Sequence, residues 1–271
     1  MSDSANISSP TKRAVVDIGS NSVRLVIYDG TLRAPSQICN EKALCGLGRN
    51  LKPGGALDHD AAEMALTTLK RFRRILDEHG SPHTRAIATA AVREASDGPA
   101  FVEAVNAIGF DVEIINGQRE AALAAFGVLS YNPEAEGIIG DMGGGSLELV
   151  AVKQRALKDA VSLSLGPLRL MQETDGDIAR ADEIVERRLD DVKWIGAAPG
   201  GTLFAVGGAW RAVARIHMRL RSYPLSILHH YALPLREATD LCDLIARQSR
   251  RSLEEIPGIP RRRIDTLPFA A

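Results

Sequence analysis

A carboxylate followed by three glycines and a serine is the pattern in this sequence that most directly suggests chemistry. It is the segment Asp141-Met142-Gly143-Gly144-Gly145-Ser146, with an apolar run on each side. Glycines lack a Cβ atom, so their backbone N–H groups can turn toward a bound anion and approach it closely. Asp141 could hold a metal ion that neutralises such an anion. An ordinary hairpin with a glycine turn explains the same residues equally well, so this segment alone leaves both interpretations open.

A second version of the pattern occurs near the start of the chain. When Asp17 is aligned with Asp141, the residues Ile18, Gly19, Ser22, Leu25 and Val26 meet Met142, Gly143, Ser146, Leu149 and Val150. Further along each half, 87–93 resembles 205–211, each a strand, a small-residue turn and a helix. This duplication predicts two similar α/β domains that present small-residue hairpins toward a shared cleft. Two matching hairpins favour the anion-binding interpretation.

Phosphoryl transfer to water would need few further groups. It requires hydrogen-bond donors around the phosphoryl group, a divalent metal ion, and a residue that positions or deprotonates the water. The hairpin N–H groups are candidate donors; Asp141 is the first candidate for the metal, followed by Asp17 and Glu148. For Glu148, an outward-facing position on a strand is the alternative. Arg93 could clamp a phosphate oxygen bidentately, or it could form a surface salt bridge.

Glu120 is the candidate for the water-activating base. It follows Asn116-Gly117 by a few residues and is predicted to lie in the first turn of a helix. The partial positive charge of a helix N-terminus keeps a carboxylate ionised and able to act as a base. Acidic residues also occur in first turns for stability alone, so the position does not by itself decide the role.

The elements that would position these residues alternate between strands and helices, which is typical of an α/β protein. Strands are predicted at 14–18, 23–28, 85–89, 112–115 and 203–206, and helices over 58–80, 99–109, 118–129, 179–195, 210–220 and 236–250. Residues 1–12 are predicted to be a disordered leader, 13–130 a first domain and 131–271 a second. The loop around Pro133 is the predicted boundary.

Composition limits the possible partners. No apolar run approaches the roughly 18 residues needed to cross a bilayer, so no membrane partner is expected. The three cysteines form no CxxC pair, which favours reduced thiols and a cytoplasmic location. From Trp210 to Arg263 there are 11 arginines against 5 acids, a net charge of +6. This basic region suits a polyanion, or it is a solvated helix surface; its few aromatics argue against a specific nucleic acid.

Taken together, the motifs resemble the exopolyphosphatase / guanosine pentaphosphate phosphohydrolase family of the actin-like superfamily. The matching segments are 17–25, 88–93, 115–121, 141–149, 163–166 and 205–208, in the family's order and spacing. The resemblance implies two duplicated ribonuclease-H-like domains and Mg²⁺-dependent release of a terminal phosphate, with the phosphoanhydride held between the hairpins. Glu120 falls on the catalytic glutamate and Asp141 on the metal-associated position. The implied phosphate contacts are Asn21, Ser22, Arg93, Gly143, Gly144, Gly145 and Ser146.

The sequence departs from the family at three places. Leu147 and Ala209 stand where threonine is usual, and the expected final strand, turn and helix of the second domain do not follow Ala271. The second domain is therefore expected to be incomplete, either as a fragment or with an edge that a partner covers.

The expected function is hydrolysis of inorganic polyphosphate, with guanosine pentaphosphate as the alternative substrate. Both present the same terminal phosphoanhydride, and a homodimer is left open. An actin-like nucleotide-binding regulatory or assembly protein is the alternative of another class, and a sugar or acetate kinase is a third.

Overall fold

The chain forms two compact units, Met1–Ile115 and Asn116–Ala271. The computed structural model describes residues 12–31, 34–197, 201–256, 259 and 261–271. The leader predicted for residues 1–12 lies outside the described residues, apart from Lys12. Each unit is built around one mixed sheet.

The first unit has five strands and three helices in its described residues. They are β1 (Arg13–Ile18), β2 (Val23–Thr31), β3 (Ala34–Ala43), α1 (His59–Glu78), β4 (His83–Ala88), α2 (Ala90–Glu94), α3 (Gly98–Ala107) and β5 (Val112–Ile114). The strand order is β3-β2-β1-β4-β5, with β1 antiparallel to β2 and parallel to β4.

Helix α1 illustrates how the local sequence determines an element of this unit. The Asp58 carboxylate accepts a hydrogen bond from the Ala61 N–H at 3.0 Å, which satisfies a donor of the first turn. Gly80 follows the helix with φ +84°, a conformation that favours glycine. Leu69 and Phe72 are fully buried in the core of the unit, and each contributes about 1.5–3 kcal/mol through burial. The local sequence thus supplies signals at both ends of α1.

The second unit repeats the central arrangement. It contains α4 (Gly117–Tyr131), β6 (Gly137–Met142), β7 (Leu147–Lys153), β8 (Ala156–Leu163), α5 (Pro167–Glu173), α6 (Ile178–Asp190), β9 (Leu203–Gly207), α7 (Gly208–Leu220), α8 (Leu235–Ala246) and α9 (Arg250–Glu255), with short 3₁₀ turns at Ile195–Ala197, Arg261–Arg263 and Pro268–Ala270. The strand order is β8-β7-β6-β9, with β6 antiparallel to β7 and parallel to β9. The predicted α/β fold with two similar sheets is confirmed.

Helix α4 belongs to the second unit. The sequence-based boundary at 130/131 lies at its C-terminal end, whereas the division of the structure falls before it, at 115/116. The reason is packing, because Ala121 and Ala125 of α4 are buried in one core with Ile139 of β6. Periodicity predicts that a helix has an apolar face, but it does not predict which sheet that face covers.

The helices of the second unit differ from the predicted ones at two places. The helix predicted over 179–195 ends at Asp190, and the short helix α5 was not predicted. Pro167 stands at the first position of α5, where a missing N–H costs nothing.

The last residues of the chain pack into the interior of the second unit. The Trp210 indole Nε1 donates to the Ala270 carbonyl at 3.1 Å, and Leu267 is buried. None of the described helices combines the length and apolar character that a bilayer span requires.

Candidate functional site

Two predicted carboxylates lie side by side on the second sheet. Asp141 on β6 pairs with Glu148 on β7, and Glu148 in turn pairs with Ser162 on β8. Directly opposed residues project to the same face of a sheet with Cβ atoms about 5 Å apart. The register therefore places Asp141, Glu148 and Ser162 in one row across the sheet.

Glu148 is a buried residue and not the outward-facing strand residue that the sequence left open. Only 1% of its surface is exposed. The Ser162 hydroxyl donates to Glu148 Oε1 at 2.7 Å. A buried carboxylate requires such polar contacts, because burial without them is costly. Ser162 was not predicted from the sequence, since only the strand register brings it beside Glu148.

The N-terminal end of α4 lies against this row. A Cβ atom on Gly117 would come within 2.4 Å of the Ser162 Cβ, so only glycine permits this approach. The Asn116 carboxamide caps the helix by accepting from the Arg119 N–H at 2.8 Å. Glu120 lies in the first turn, as predicted, and is partly exposed. The helix thus brings Glu120 to the end of the sheet that carries the two carboxylates.

The glycine-rich hairpin of this unit has the same closure as that of the first unit. The Gly143 N–H donates to the Ser146 carbonyl at 3.0 Å, and the Gly19 N–H donates to the Ser22 carbonyl at 3.0 Å. A Cβ atom on Gly143 or Gly19 would lie 3.4 or 3.3 Å from that carbonyl oxygen, closer than most real contacts. The alignment of the two hairpins is therefore confirmed at atomic detail.

Helix α5 fixes the direction of the peptide groups in the second hairpin. The Gly144 carbonyl accepts from the Leu168 N–H at 2.9 Å, and the Gly145 carbonyl accepts from Arg169 Nε at 3.2 Å. In a planar trans peptide, the N–H group points opposite to the carbonyl that precedes it. The N–H groups of Gly145 and Ser146 consequently point away from α5, which leaves a pair of donors suited to an anion.

In the first unit a loop orients the peptide groups of the hairpin in the same way. The Ser20 carbonyl accepts from the Gly48 N–H at 2.7 Å, and the Asn21 carbonyl accepts from the Gly46 N–H at 3.1 Å. The N–H groups of Asn21 and Ser22 therefore point away from this loop. These are the positions equivalent to Gly145 and Ser146.

Sequence reasoning assigned no supporting role to these segments, although 163–166 is among the segments that match the family. Leu47-Gly48 and Leu165-Gly166 each place a buried leucine before a glycine that touches the hairpin. A Cβ atom on Gly48 would lie 2.9 Å from the Ser20 Cβ, and one on Gly166 would lie 2.4 Å from the Gly144 backbone. The repeated Leu-Gly pair after the third strand of each half was the available signal. Arg169 has no such signal, because its position depends on α5.

Asp17 has different neighbours from Asp141. It pairs with Arg24 on β2, and Arg24 pairs with Lys42 on β3. Burial raises the pKa of the Asp17 carboxyl, and the charges of Lys42 and Arg24 partly offset this rise. Asp17 therefore lies beside a cation in its row, and the other carboxylate of that row, Glu113, is separated from it by Ile87 on β4.

Arg93 contacts the backbone as well as an acid. Its Nη1 donates to the Ile115 carbonyl at 2.9 Å, and its Nη2 lies 3.9 Å from Glu94 Oε1. Ile115 directly precedes Asn116, the cap of α4. Arg93 thus holds the segment that leads into α4, a role that the sequence did not predict. Its predicted contact with phosphate stays a prediction.

The position of Leu147 shows why leucine can stand where the family usually has threonine. Its side chain is buried with Leu165 and Leu170, on the opposite face of β7 from Glu148. A hydroxyl at this position would face the core between the sheet and α5. The leucine therefore removes no group from the row of carboxylates.

The carboxylates of Asp141 and Glu148 suit a magnesium ion that also coordinates phosphate oxygens. In the described part of the chain, no group of three or more His, Cys, Asp or Glu side chains forms a metal site. Mg²⁺ commonly uses one or two carboxylates and completes its coordination with water and substrate phosphates. Asp141 and Glu148 supply two adjacent carboxylates of this kind.

The fold defines a class of protein first. Two α/β units that share a central antiparallel hairpin and a parallel neighbouring strand have the duplicated ribonuclease-H-like arrangement that the sequence predicts. The family model described as the Ppx/GppA phosphatase family matches residues 26–271, so the chain belongs to this family.

Three relatives illustrate the range of this family. The crystal structure of an exopolyphosphatase from Cytophaga hutchinsonii has a TM-score of 0.87 and 28% identity, covering 96% of this chain and 87% of that one. The bifunctional 3-dehydroquinate synthase/phosphatase of Fusobacterium nucleatum is 24% identical over 279 residues, 94% of this chain and 41% of its own length. Retrograde regulation protein 2 of Saccharomyces cerevisiae is 28% identical over 274 residues, 90% of this chain and 46% of its own length. The chain spans less than half the length of these two curated relatives.

Proposed function

We propose that this protein is a phosphoanhydride hydrolase that releases the terminal phosphate of inorganic polyphosphate. The observation that carries the proposal is the row of Asp141, Glu148 and Ser162 beneath the N-terminal end of α4, where Glu120 lies. Membership of a phosphatase family and similarity to an exopolyphosphatase structure support it.

Each group of the second unit has a distinct role in this proposal. Glu120 accepts a proton from the attacking water, and the helix N-terminus keeps its carboxylate ionised. Asp141 and Glu148 would hold Mg²⁺, which offsets the charge of the phosphates when it is bound. The N–H groups of Gly145 and Ser146 donate to phosphate oxygens, as backbone donors do in other phosphate sites. The remaining predicted contacts in this hairpin are Gly143 and Gly144.

The first unit offers the same ligand class an equivalent pair of donors, the N–H groups of Asn21 and Ser22. We place the reaction in the cytoplasm, because Cys39, Cys45 and Cys242 are all free thiols in the structure.

The substitution Glu120→Gln tests the catalytic assignment. It keeps the shape of the side chain and removes the base, so the rate of phosphate release should fall about 10²–10⁴-fold. Release from polyphosphate is measured with Mg²⁺ at saturating substrate. Asp60→Asn, which changes an exposed acid in the first turn of α1, is the matched control and should retain the wild-type rate. A rate within severalfold of wild type for Glu120→Gln rejects the assignment.

Guanosine pentaphosphate is the second candidate substrate, because it presents the same terminal phosphoanhydride. Parallel assays with polyphosphate and guanosine pentaphosphate compare kcat/KM for the two. A higher value for the nucleotide would replace the leading substrate and keep the roles of the residues.

A regulatory role is the candidate from another class, because one relative is named Retrograde regulation protein 2. The form of this candidate that the sequence suggests is an actin-like nucleotide-binding protein. ATP-dependent assembly detected by sedimentation, together with no phosphate release from polyphosphate, would support that candidate and reject the hydrolase.

A further inference from the structure

Ser162 contacts two parts of the second unit to which the proposed reaction gives separate roles. Its hydroxyl donates a hydrogen bond to Glu148 Oε1 at 2.7 Å. Its Cβ and Oγ atoms also lie against Gly117, where an added Cβ atom would overlap both of them. Gly117 is the first residue of α4, and Glu120 follows in the same turn. One side chain therefore touches a carboxylate of the proposed cation site and the start of the helix that carries the proposed base.

The hydrogen bond from Ser162 acts on a carboxylate in the interior of the protein. Glu148 is almost fully buried, and a second acid, Asp141, lies directly opposite it on the neighbouring strand. A hydrogen-bond donor favours the ionised form of a carboxylate in such surroundings. A donor at a fixed position also orients the carboxylate group, as outer hydrogen bonds do for metal-binding carboxylates in general. The Ser162 hydroxyl is therefore placed to prepare Glu148 for a cation.

The strands and the helix hold the Ser162 side chain on the correct face. Val150 follows Glu148 by two residues on β7 and is buried with Ala121 of α4. Side chains two residues apart on a strand project to the same face, so Glu148 also lies on the face that α4 covers. Ser162 pairs with Glu148 from β8, and α4 packs across β6, β7 and β8. The contacts of Ser162 thus arise from regular elements and not from a loop.

The position of Ser162 beneath α4 also limits the size of its side chain. Serine is the smallest residue that carries a hydroxyl donor. A larger side chain at this position would push the start of α4 away from the sheet, because Gly117 is already in contact with the serine. Such a movement would displace Glu120, and a displacement of about 1 Å can lower a reaction rate about 10²-fold. Both the hydroxyl and the small size of Ser162 therefore matter for the site.

We propose that Ser162 is a positioning residue for the hydrolytic reaction. Its hydroxyl orients Glu148 for a divalent cation, and its small side chain sets the position of α4 and hence of Glu120. Ser162 acts only through these two neighbours. The inference rests on the proposed function for the roles of the two carboxylates.

The substitution Ser162→Ala tests the orienting role by direct binding. It removes the donor and keeps the Cβ atom that contacts Gly117. Mn²⁺, a paramagnetic substitute for Mg²⁺, is titrated against the protein in the presence of inorganic phosphate, and the free ion is measured by electron paramagnetic resonance. The variant should bind Mn²⁺ about tenfold more weakly than wild type, as expected when an outer hydrogen bond to a metal ligand is lost.

The substitution Ser162→Thr tests the second role, because it keeps the donor and adds a methyl group beside Gly117. Its Mn²⁺ affinity should stay within about twofold of wild type, since the hydroxyl remains. Its kcat for phosphate release at saturating Mg²⁺ should fall about tenfold or more, since Glu120 is displaced. The control Ser130→Ala removes a hydroxyl that also donates at 2.7 Å, to the Gly127 carbonyl in α4. It should change neither quantity.

A double-mutant cycle distinguishes this role from a general contribution to stability. Because Ser162 orients the cation site through Glu148, Ser162→Ala should have no further effect on Mn²⁺ affinity in the Glu148→Gln background. Equal losses in the two backgrounds would exclude the link between the residues. Thermal melting establishes that each variant is folded.

Other outcomes would overturn the proposal in part or in full. Unchanged Mn²⁺ affinity in Ser162→Ala rejects the orienting role, and a wild-type kcat in Ser162→Thr rejects the control of the α4 position. A loss of Mn²⁺ affinity as large in Ser162→Thr as in Ser162→Ala shows that the hydroxyl is not the operative group. If wild-type protein releases no phosphate from polyphosphate or guanosine pentaphosphate, the proposed function fails, while the Mn²⁺ affinities still decide the orienting role.

Discussion

The two sheets have the same strand arrangement, but their strands carry differently charged side chains. Across the first sheet the central row reads Glu113, Ile87, Asp17, Arg24, Lys42, and across the second it reads Val206, Asp141, Glu148, Ser162. In the first row Asp17 has Arg24 beside it and Lys42 on the next strand, and these two cations partly offset the effect of its burial. In the second row a second carboxylate replaces the arginine, and the pair is suited to an added cation. The duplicated hairpin thus provides equivalent backbone donors in both units but a proposed metal site in only one.

Equivalent substitutions in the two rows should sharpen this contrast, and the largest effect is expected at Glu148. Glu148→Gln removes one of the two adjacent carboxylates and should lower magnesium-dependent phosphate release about 10²-fold or more. It should also raise the Mg²⁺ concentration needed for half-maximal rate. Arg24→Gln at the matching position should leave that concentration unchanged. A shifted magnesium requirement in Arg24→Gln, with none in Glu148→Gln, would break the comparison.

The supporting glycines offer a second contrast, in stability. A methyl group on Gly166 meets the Gly144 backbone at 2.4 Å, whereas one on Gly48 meets the Ser20 Cβ at 2.9 Å and the Ser20 carbonyl oxygen at 3.4 Å. Gly166→Ala should therefore lower the free energy of unfolding by about 1–3 kcal/mol, and Gly48→Ala by less. Urea titration measures both.

Gly127→Ala is the control for these two variants. It lies in α4 with no atom within 4 Å of the added Cβ, and it should increase stability by about 0.5–1 kcal/mol. If Gly166→Ala proved as stable as wild type, α5 would not be packed against the hairpin as described.

The smallest expected effect concerns pH and Asp17. A carboxyl whose pKa is raised in the folded state binds its proton more tightly there, so wild-type stability falls as pH rises from 3.8 through the folded pKa. Asp17→Asn removes this dependence, and the variant should gain stability relative to wild type between pH 4 and pH 7. Urea unfolding at the two pH values measures the change. The opposite sign would mean that Lys42 and Arg24 outweigh the burial of the carboxyl.

The sequence predicted those parts of the site that depend on local pattern. Asp141, the glycine turn and the first-turn position of Glu120 follow from short segments, and each has the predicted local structure. The duplication extended this prediction to the hairpin that contains Asn21, because repeated spacing is itself a sequence feature.

The parts that were missed depend on contacts between distant segments. Ser162 lies beside Glu148 only through the pairing of β7 with β8, and Gly117 approaches Ser162 only through the packing of α4. The burial of Glu148 has the same origin, since alternation along a strand does not show which face a helix covers. Arg169 was missed because its contact requires α5, a helix too short to give a clear period.

The contacts on the hairpin carbonyls also have a consequence for the thermodynamics of binding. Three successive glycines would lose much conformational entropy if they became ordered only when a ligand arrived. Here Leu168 and Arg169 order the peptide groups of Gly144 and Gly145 during folding. An anion would therefore meet donors that are already aligned, and the favourable free energy of each hydrogen bond would appear in its affinity with little ordering cost.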